Sequence, residues 1–335
     1  MSKEPGPVHR LAGLPVLAGY LATGALAVSV FGTRGQRHLA QNLVLAAAIV
    51  TFLHYTMRVG GSVGLVHADR IPPNFEGFSG NRNAYAVQML LAVSAAIVWL
   101  RSFSRLRGAV WLVLPIGTCL FGLFMSQSRA GLITAVVILG VVFLARAVPF
   151  RMFLATVSAG IVVSIFALSL QAAVTMQESS LLPAAVQPDS DSERWLSITA
   201  GVELWLRHPL FGAGLGAFVH EHAQQTGNFL VIHNSLVWLL AEFGIVGTLP
   251  WIGFFASVAW TAWASRNRPA ARWPMATVLV LITFALPSFV HDLLYQRLMW
   301  LLLGSLMAVP DTKRSMVMPP ARTGSVTGQN RWHQA

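Results

Sequence analysis

The sequence predicts an all-α polytopic membrane protein: a bundle of about nine transmembrane helices with one large external, periplasmic loop that contains an amphipathic helix. Three observations predict it. First, the 335 residues are 55% hydrophobic and only 10% charged, with mean hydropathy +0.62, whereas soluble domains carry roughly a quarter charged residues. Second, apolar stretches of bilayer-spanning length recur along the chain. Third, the basic residues are divided unequally between alternate loops.

The apolar stretches fall near 11–31, 39–57, 84–100, 109–125, 130–147, 152–172, 245–264, 273–290 and 293–310. The first has only Lys3 and Arg10 ahead of it and no small-residue cleavage site, so it reads as a retained helix rather than a signal peptide. The chain thus divides into N-terminal spans (1–172), a long loop (173–244), C-terminal spans (245–310) and a Pro/Gly/Thr-rich tail (311–335) that reads as disordered and cytoplasmic.

Orientation comes from the loops. Arg34/Arg37, Arg101/Arg105/Arg107, Arg146/Arg151, Arg266/Arg268/Arg272 and the tail share a set of short loops with a single acid, Asp311. The N-terminus, 58–83, 126–129, 173–244 and 291–292 hold the remaining acids and scattered Arg. The first set is therefore expected inside and the second outside. A net charge of +11 distributed in this way suits orientation and contact with anionic membrane lipids, and not nucleic acid. The lone Cys119 lies in an apolar stretch and supports neither a disulfide framework nor a Cys-based metal site.

Within the long loop, Ser190-Asp191-Ser192-Glu193 resembles a capping box that opens a helix. Trp195, Ile198, Val202 and Trp205 follow at helical spacing and Pro209 ends the element, which predicts about four turns lying at the membrane surface with Trp in the interface. Gly212-x-Gly214-x-Gly216 lacks the strand and helix of a dinucleotide fold and reads as a turn. A helix is expected to start near His233-Asn234 and break at Gly244 before the next span.

Candidate site residues collect on the outer set of loops, each with a bland alternative. Arg129, in Ser126-Gln-Ser-Arg129-Ala-Gly131, suits a bidentate phosphate ligand, or an interfacial Arg reaching headgroups. Arg82, in Gly80-Asn81-Arg82-Asn83, is similar, though an Asn/Gly turn before a helix is also simply a cap. Arg194 and Arg207 are further candidate diphosphate ligands: Arg194 opens a helix, where a cation opposes the dipole and gains nothing locally, and Arg207 closes it, where a cation is also favoured structurally. His233 with a carboxylate partner, Glu242 or Asp292, forms a general-base pair, although Asp292 could instead pair with Arg297. Glu242 among Leu, Trp and Phe is costly unless used or paired. His220-Glu-His222 with His233 is a weak zinc signal, and Asp189-Ser-Asp191 is better explained by capping than by metal binding.

Taken in order, His208-Pro209-Leu210-Phe211-Gly212-Ala213-Gly214, His233-Asn234-Ser235-Leu236 and Glu242-Phe243-Gly244-Ile245-Val246-Gly247, with the upstream Asn81-Arg82-Asn83 and Ser128-Arg129-Ala-Gly131 motifs, resemble the O-antigen ligase and polymerase family over roughly 75–305. The resemblance implies a metal-independent inverting glycosyltransferase of a bacterial inner membrane, without a cofactor. It would move a glycan from a polyprenyl-diphosphate carrier to a glycan or lipid acceptor. It further implies Arg129 and Arg194 as diphosphate ligands and His233 as the base, with Arg82, Glu242 and Asp292 in support. Family members have more spans before the long loop than the six read here, and an N-terminus inside. Polymerase activity is the nearest alternative. A transporter or flippase is disfavoured because the polar candidates gather at one face and no inverted repeat is visible. A catalytically inactive assembly partner is the third reading.

Overall fold

The computed structural model describes residues 13–66, 75–77, 79–175, 190–227, 229–266 and 273–308, and among these every regular element is helical. Asp189, the side chains of Ser190 and Asp191, and the tail from 311 lie outside the described residues. The elements are α1 (Gly13–Ser62), α2 (Arg82–Ala96, continued by a 3₁₀ stretch Ile97–Ser102), α3 (Leu106–Met125), α4 (Arg129–Leu144) and α5 (Phe150–Thr175). After these come α6 (Ser190–Arg207), α7 (Ala217–Thr226), α8 (Ser235–Ala264), α9 (Trp273–Ser288) and α10 (Arg297–Met307).

Five of these segments are long and apolar enough to cross a membrane: Arg34–Gly61, Arg82–Ser102, Leu106–Met125, Phe150–Leu170 and Ser235–Ala264. Ala18–Gly32, Arg129–Leu144, Pro274–Ser288 and Arg297–Met307 are apolar but shorter, at 10–17 residues. They coincide with the other four stretches read as spans, and fall short of the ~20 residues that a perpendicular crossing requires.

The expected turn between the first two spans is a break at Gly32, whose φ of 60° and ψ of −148° lie outside helical geometry. The chain bends there so sharply that a Cβ on Gly35 would stand 2.8 Å from the carbonyl oxygen of Ala27. Both arms of α1 pack in the bundle, and Gln36 donates to the Ser305 carbonyl of α10 at 2.8 Å. α2 is the most enclosed helix, with Tyr85, Leu90, Leu91 and Ile97 essentially without exposure. It lies among α1, α3, α4 and α9.

Hydrogen bonds separate the loops into two ends of the bundle. At one end Ser128 meets Asn83, and Asn234 meets the Phe289 carbonyl. At the other end Arg151 donates to the Ser104 carbonyl and Arg37 lies over the Phe103 ring. These are the acid-bearing and the Arg-dense loop sets, respectively.

α6 turns one face toward the bundle. Its buried stripe is Ser197, Gly201 and Leu204, which packs toward α8, while Trp195 is 69% exposed. Gly201 sits against Ile232 and Val237, and a Cβ there would meet both at 2.9 Å. Small residues let α6 approach.

Candidate functional site

Three helices begin at the acid-bearing end, each with a polar cap. Asn81 starts α2, its Oδ1 accepting the N–H of Asn83 at 2.8 Å and of Ala84 at 3.2 Å. Ser128 starts α4, its Oγ accepting the Gly131 N–H at 3.2 Å while donating to Asn83 Oδ1 at 2.8 Å. That bond ties the two helix starts together and sets Arg82 and Arg129 beside one hydrogen-bonded pair. Both are first residues of their helices, where the macrodipole is positive and a cation is disfavoured. The helix macrodipole therefore does not favour either Arg at these positions.

Asn234 starts α8, accepting the Val237 N–H at 3.0 Å and donating to the Phe289 carbonyl at 3.0 Å. Ser235 fastens the same loop twice, donating to the His291 carbonyl and accepting the Leu293 N–H, both at 3.0 Å. From the other side, the His233 N–H donates to Ser197 Oγ of α6 at 3.2 Å. α6 and the 289–293 corner are thereby locked to the start of α8. Their imidazoles meet edge to face, with His233 and His291 ring centroids 6.5 Å apart at 89°.

The electrostatics follow from this crowding. His291 is buried and its pKa falls to about 4, first through desolvation and then through Arg194, His233 and Arg82. His233 is held below its ordinary value by burial and by Arg194, with Glu193 opposing in part. Asp292 is pushed up to about 6 by desolvation, partly countered by the Leu294 N–H. Near neutral pH both imidazoles are therefore unprotonated, and a neutral imidazole can accept a proton. Arg194, His233 and Arg82 thus lie within electrostatic reach of His291, and Arg194 within reach of His233.

Other candidates stand apart. Arg207 forms an ion pair with Glu221 at 2.6 Å, tying the end of α6 to α7 on the surface. Asp292 accepts the Leu294 N–H at 3.2 Å, and no ion pair with Arg297 is present among the described residues. His220 bonds Gln224 at 2.9 Å and His222 stacks on Phe218. No cluster of metal-binding side chains occurs among the described residues. Glu242 is 1% exposed and lies seven residues into α8 from Ser235, about 10 Å along the axis at 1.5 Å per residue.

Glu242 does belong to a second construction. α8 breaks at Gly244, with φ 65° and ψ −170°, and the backbone groups near the break are met by the turn after α6. Ala213 and Gly214 donate to the carbonyls of Ala241 and Glu242 at 2.9 and 3.0 Å, and Ile245 and Val246 donate to those of Pro209 and Leu210 at 2.9 and 3.0 Å. The Pro209–Gly214 and Glu242–Val246 motifs are thus two halves of one backbone clasp. Residues 114–252, which include both halves, match the family described as O-antigen ligase. The chain carries an O-antigen ligase family domain. No protein of curated function matches it.

The ligase-family match includes Arg129, Arg194, Arg207, His233 and Glu242, and stops short of Arg82 on one side and His291 and Asp292 on the other. Geometry brings Arg82 and His291 back beside the matched residues. Sequence reading passed over His291 as a mere neighbour of Asp292, and missed Ser197, Ser235 and the Asn83–Ser128 bond altogether. Ser and Asn next to helix starts carry a visible capping signal; which distant loop they reach has no sequence signal.

Proposed function

We propose that this protein transfers a glycan from a polyprenyl diphosphate to an acceptor hydroxyl, at the periplasmic face of a bacterial inner membrane. The acceptor oxygen attacks the anomeric carbon, the bond from that carbon to the diphosphate oxygen breaks, and the configuration inverts. The acceptor's proton passes to the imidazole of His233, and the polyprenyl diphosphate departs with the bonding pair. Arg129, Arg82 and Arg194 would meet the leaving charge together with the N-termini of α2 and α4. Fixed donors of that kind can each contribute ~3–4 kcal/mol to a transition state. In this reading no metal ion takes part. Asp292 and His291 would position the base, Glu242 would support α8 beneath it, and Arg207 would serve the α6–α7 contact.

The observation that carries this reading is the joint placement of an unprotonated His233 and the cations Arg194 and Arg82 around His291. The test is transfer from a labelled lipid-linked glycan in membranes of cells lacking their own ligase, read as a mobility shift of the acceptor lipid. Wild type should transfer and His233→Ala should not. Transfer that survives in His233→Ala removes the base assignment. Lengthening of lipid-linked chains without acceptor modification would make the protein a polymerase using the same chemistry.

A further inference from the structure

At the end of the bundle away from these motifs, a cleft of about 490 Å³ opens between the ends of α2 and α4 and the start of α5. Arg101 and Arg146 line it with Phe143, Phe150 and Phe153, and no acidic residue among the described residues takes part. Among the described residues neither guanidinium has a hydrogen bond or an ion pair. Phe143 meets Phe150 and Phe153 at ring-centroid distances of 6.4 and 5.5 Å, which makes one continuous aromatic wall. Phe143 and Phe150 are 52% and 65% exposed.

Arg146 carries a further oddity. It follows α4 with φ 48°, donating to the Phe143 carbonyl while Ala147 donates to that of Val142 at 3.0 Å. This is the left-handed residue of a helix-ending motif, where Gly is favoured because a side chain is strained there. The helix end itself favours a cation. It does not explain a second cation close by, an aromatic wall, and the absence of any acid.

We propose that this cleft binds the phosphate of an anionic glycerophospholipid, with Arg101 and Arg146 on the headgroup and an acyl chain along the Phe143–Phe150–Phe153 wall. Two cations without a counter-ion select an anion. The adjoining apolar wall, at the ends of α2 and α5, which are long and apolar enough to cross a membrane, selects one that carries a hydrocarbon chain. The site lies across the bundle from Arg129. The 16 residues of α4 separate the two ends by about 24 Å at 1.5 Å per residue, so this lipid is not the glycan donor.

The test uses the full-length protein in detergent, titrated with phosphatidylglycerol or phosphatidylcholine and read by native mass spectrometry. Phosphatidylglycerol should be retained, and the Arg101→Gln/Arg146→Gln pair should weaken its retention by roughly tenfold or more. Arg146→Lys with Arg101 intact should recover most of it, which separates lost charge from lost fold. Equal retention of the two lipids, or of phosphatidylglycerol by wild type and the double variant, overturns the proposal. So does displacement of the lipid by inorganic phosphate alone, since the cleft would then be a site for the free ion.

Discussion

The backbone clasp between the Pro209–Gly214 turn and the break in α8 makes a sharp demand at Gly212. A Cβ there would stand 2.4 Å from the carbonyl carbon and oxygen of Glu242, at φ +72°. Those are backbone atoms and cannot swing aside, so an Ala must push the turn off α8 by about 1 Å to reach ordinary contact. The four clasp bonds, now 2.9–3.0 Å, would open toward 4 Å and cease to be hydrogen bonds. At about 1 kcal/mol net for each bond and about 1–2 kcal/mol for a side chain in the left-handed region, Gly212→Ala should cost ~5 kcal/mol. That is comparable with the whole stability of many domains. Gly214 is the control: its φ is +98°, but a Cβ there meets nothing within 4 Å, so Gly214→Ala should lose only the ~1–2 kcal/mol of strain. Thermal unfolding of the purified variants in detergent measures the difference. Equal Tm values for the two variants would refute the clasp.

Other expectations concern charge. Removing the Arg194 guanidinium in Arg194→Gln takes away a cation that depresses both His233 and His291; both pKa values should rise, and the acid limb of the transfer rate should move to higher pH. An unmoved limb would separate Arg194 from the base. Asp292 holds, in the folded state, a proton that the unfolded chain releases near 3.8, since its folded value is about 6. Its contribution to stability is thus complete below about 4 and falls as pH rises through 6, by up to about 3 kcal/mol. Asp292→Asn should flatten that dependence in unfolding experiments between pH 4 and 7. Arg207→Ala should change stability by less than about 1 kcal/mol, as surface ion pairs do, and leave transfer near wild type; a large loss of transfer would return Arg207 to the site. Ser128→Ala should cost about 1 kcal/mol through the lost cap and reduce donor affinity by releasing Asn83, measurable as a raised KM with kcat little changed.

Much of the helix layout was legible because membrane helices announce themselves by length and apolar content. The positions of α2, α3, α5 and α8 follow from that alone, and the Asn234 start and Gly244 break follow from capping and Gly chemistry. What was not legible is which face of α6 is buried. Its Trp residues mark the stripe expected at the membrane interface, and the face turned to α8 is decided by the small side chains of Ser197 and Gly201. Hydrophobic periodicity weights a large ring above a small gap, and here the gap determines the packing. The residue at such a gap is chosen for what it lacks, and a moment built from side-chain hydrophobicity does not register that.

The site was legible residue by residue and illegible as a network. Arg82 and Arg129 stand out in the sequence as phosphate-type Arg in Asn/Gly and Ser/Gly turns, and the structure adds that each opens a helix with the wrong sign of charge. Two such anomalies 47 positions apart acquire a common cause only when Ser128 reaches Asn83. Likewise His233 and His291 belong to different loops until Ser235 grips the His291 carbonyl and the Leu293 amide. These are short polar side chains with one or two bonds each, the cheapest groups in the chain to place and the least marked. They fix where the charged groups stand, and the charged groups then fix each other's protonation. His233 stays neutral first because it is buried and then because Arg194 stands near it, while its backbone N–H is held by Ser197 at 3.2 Å.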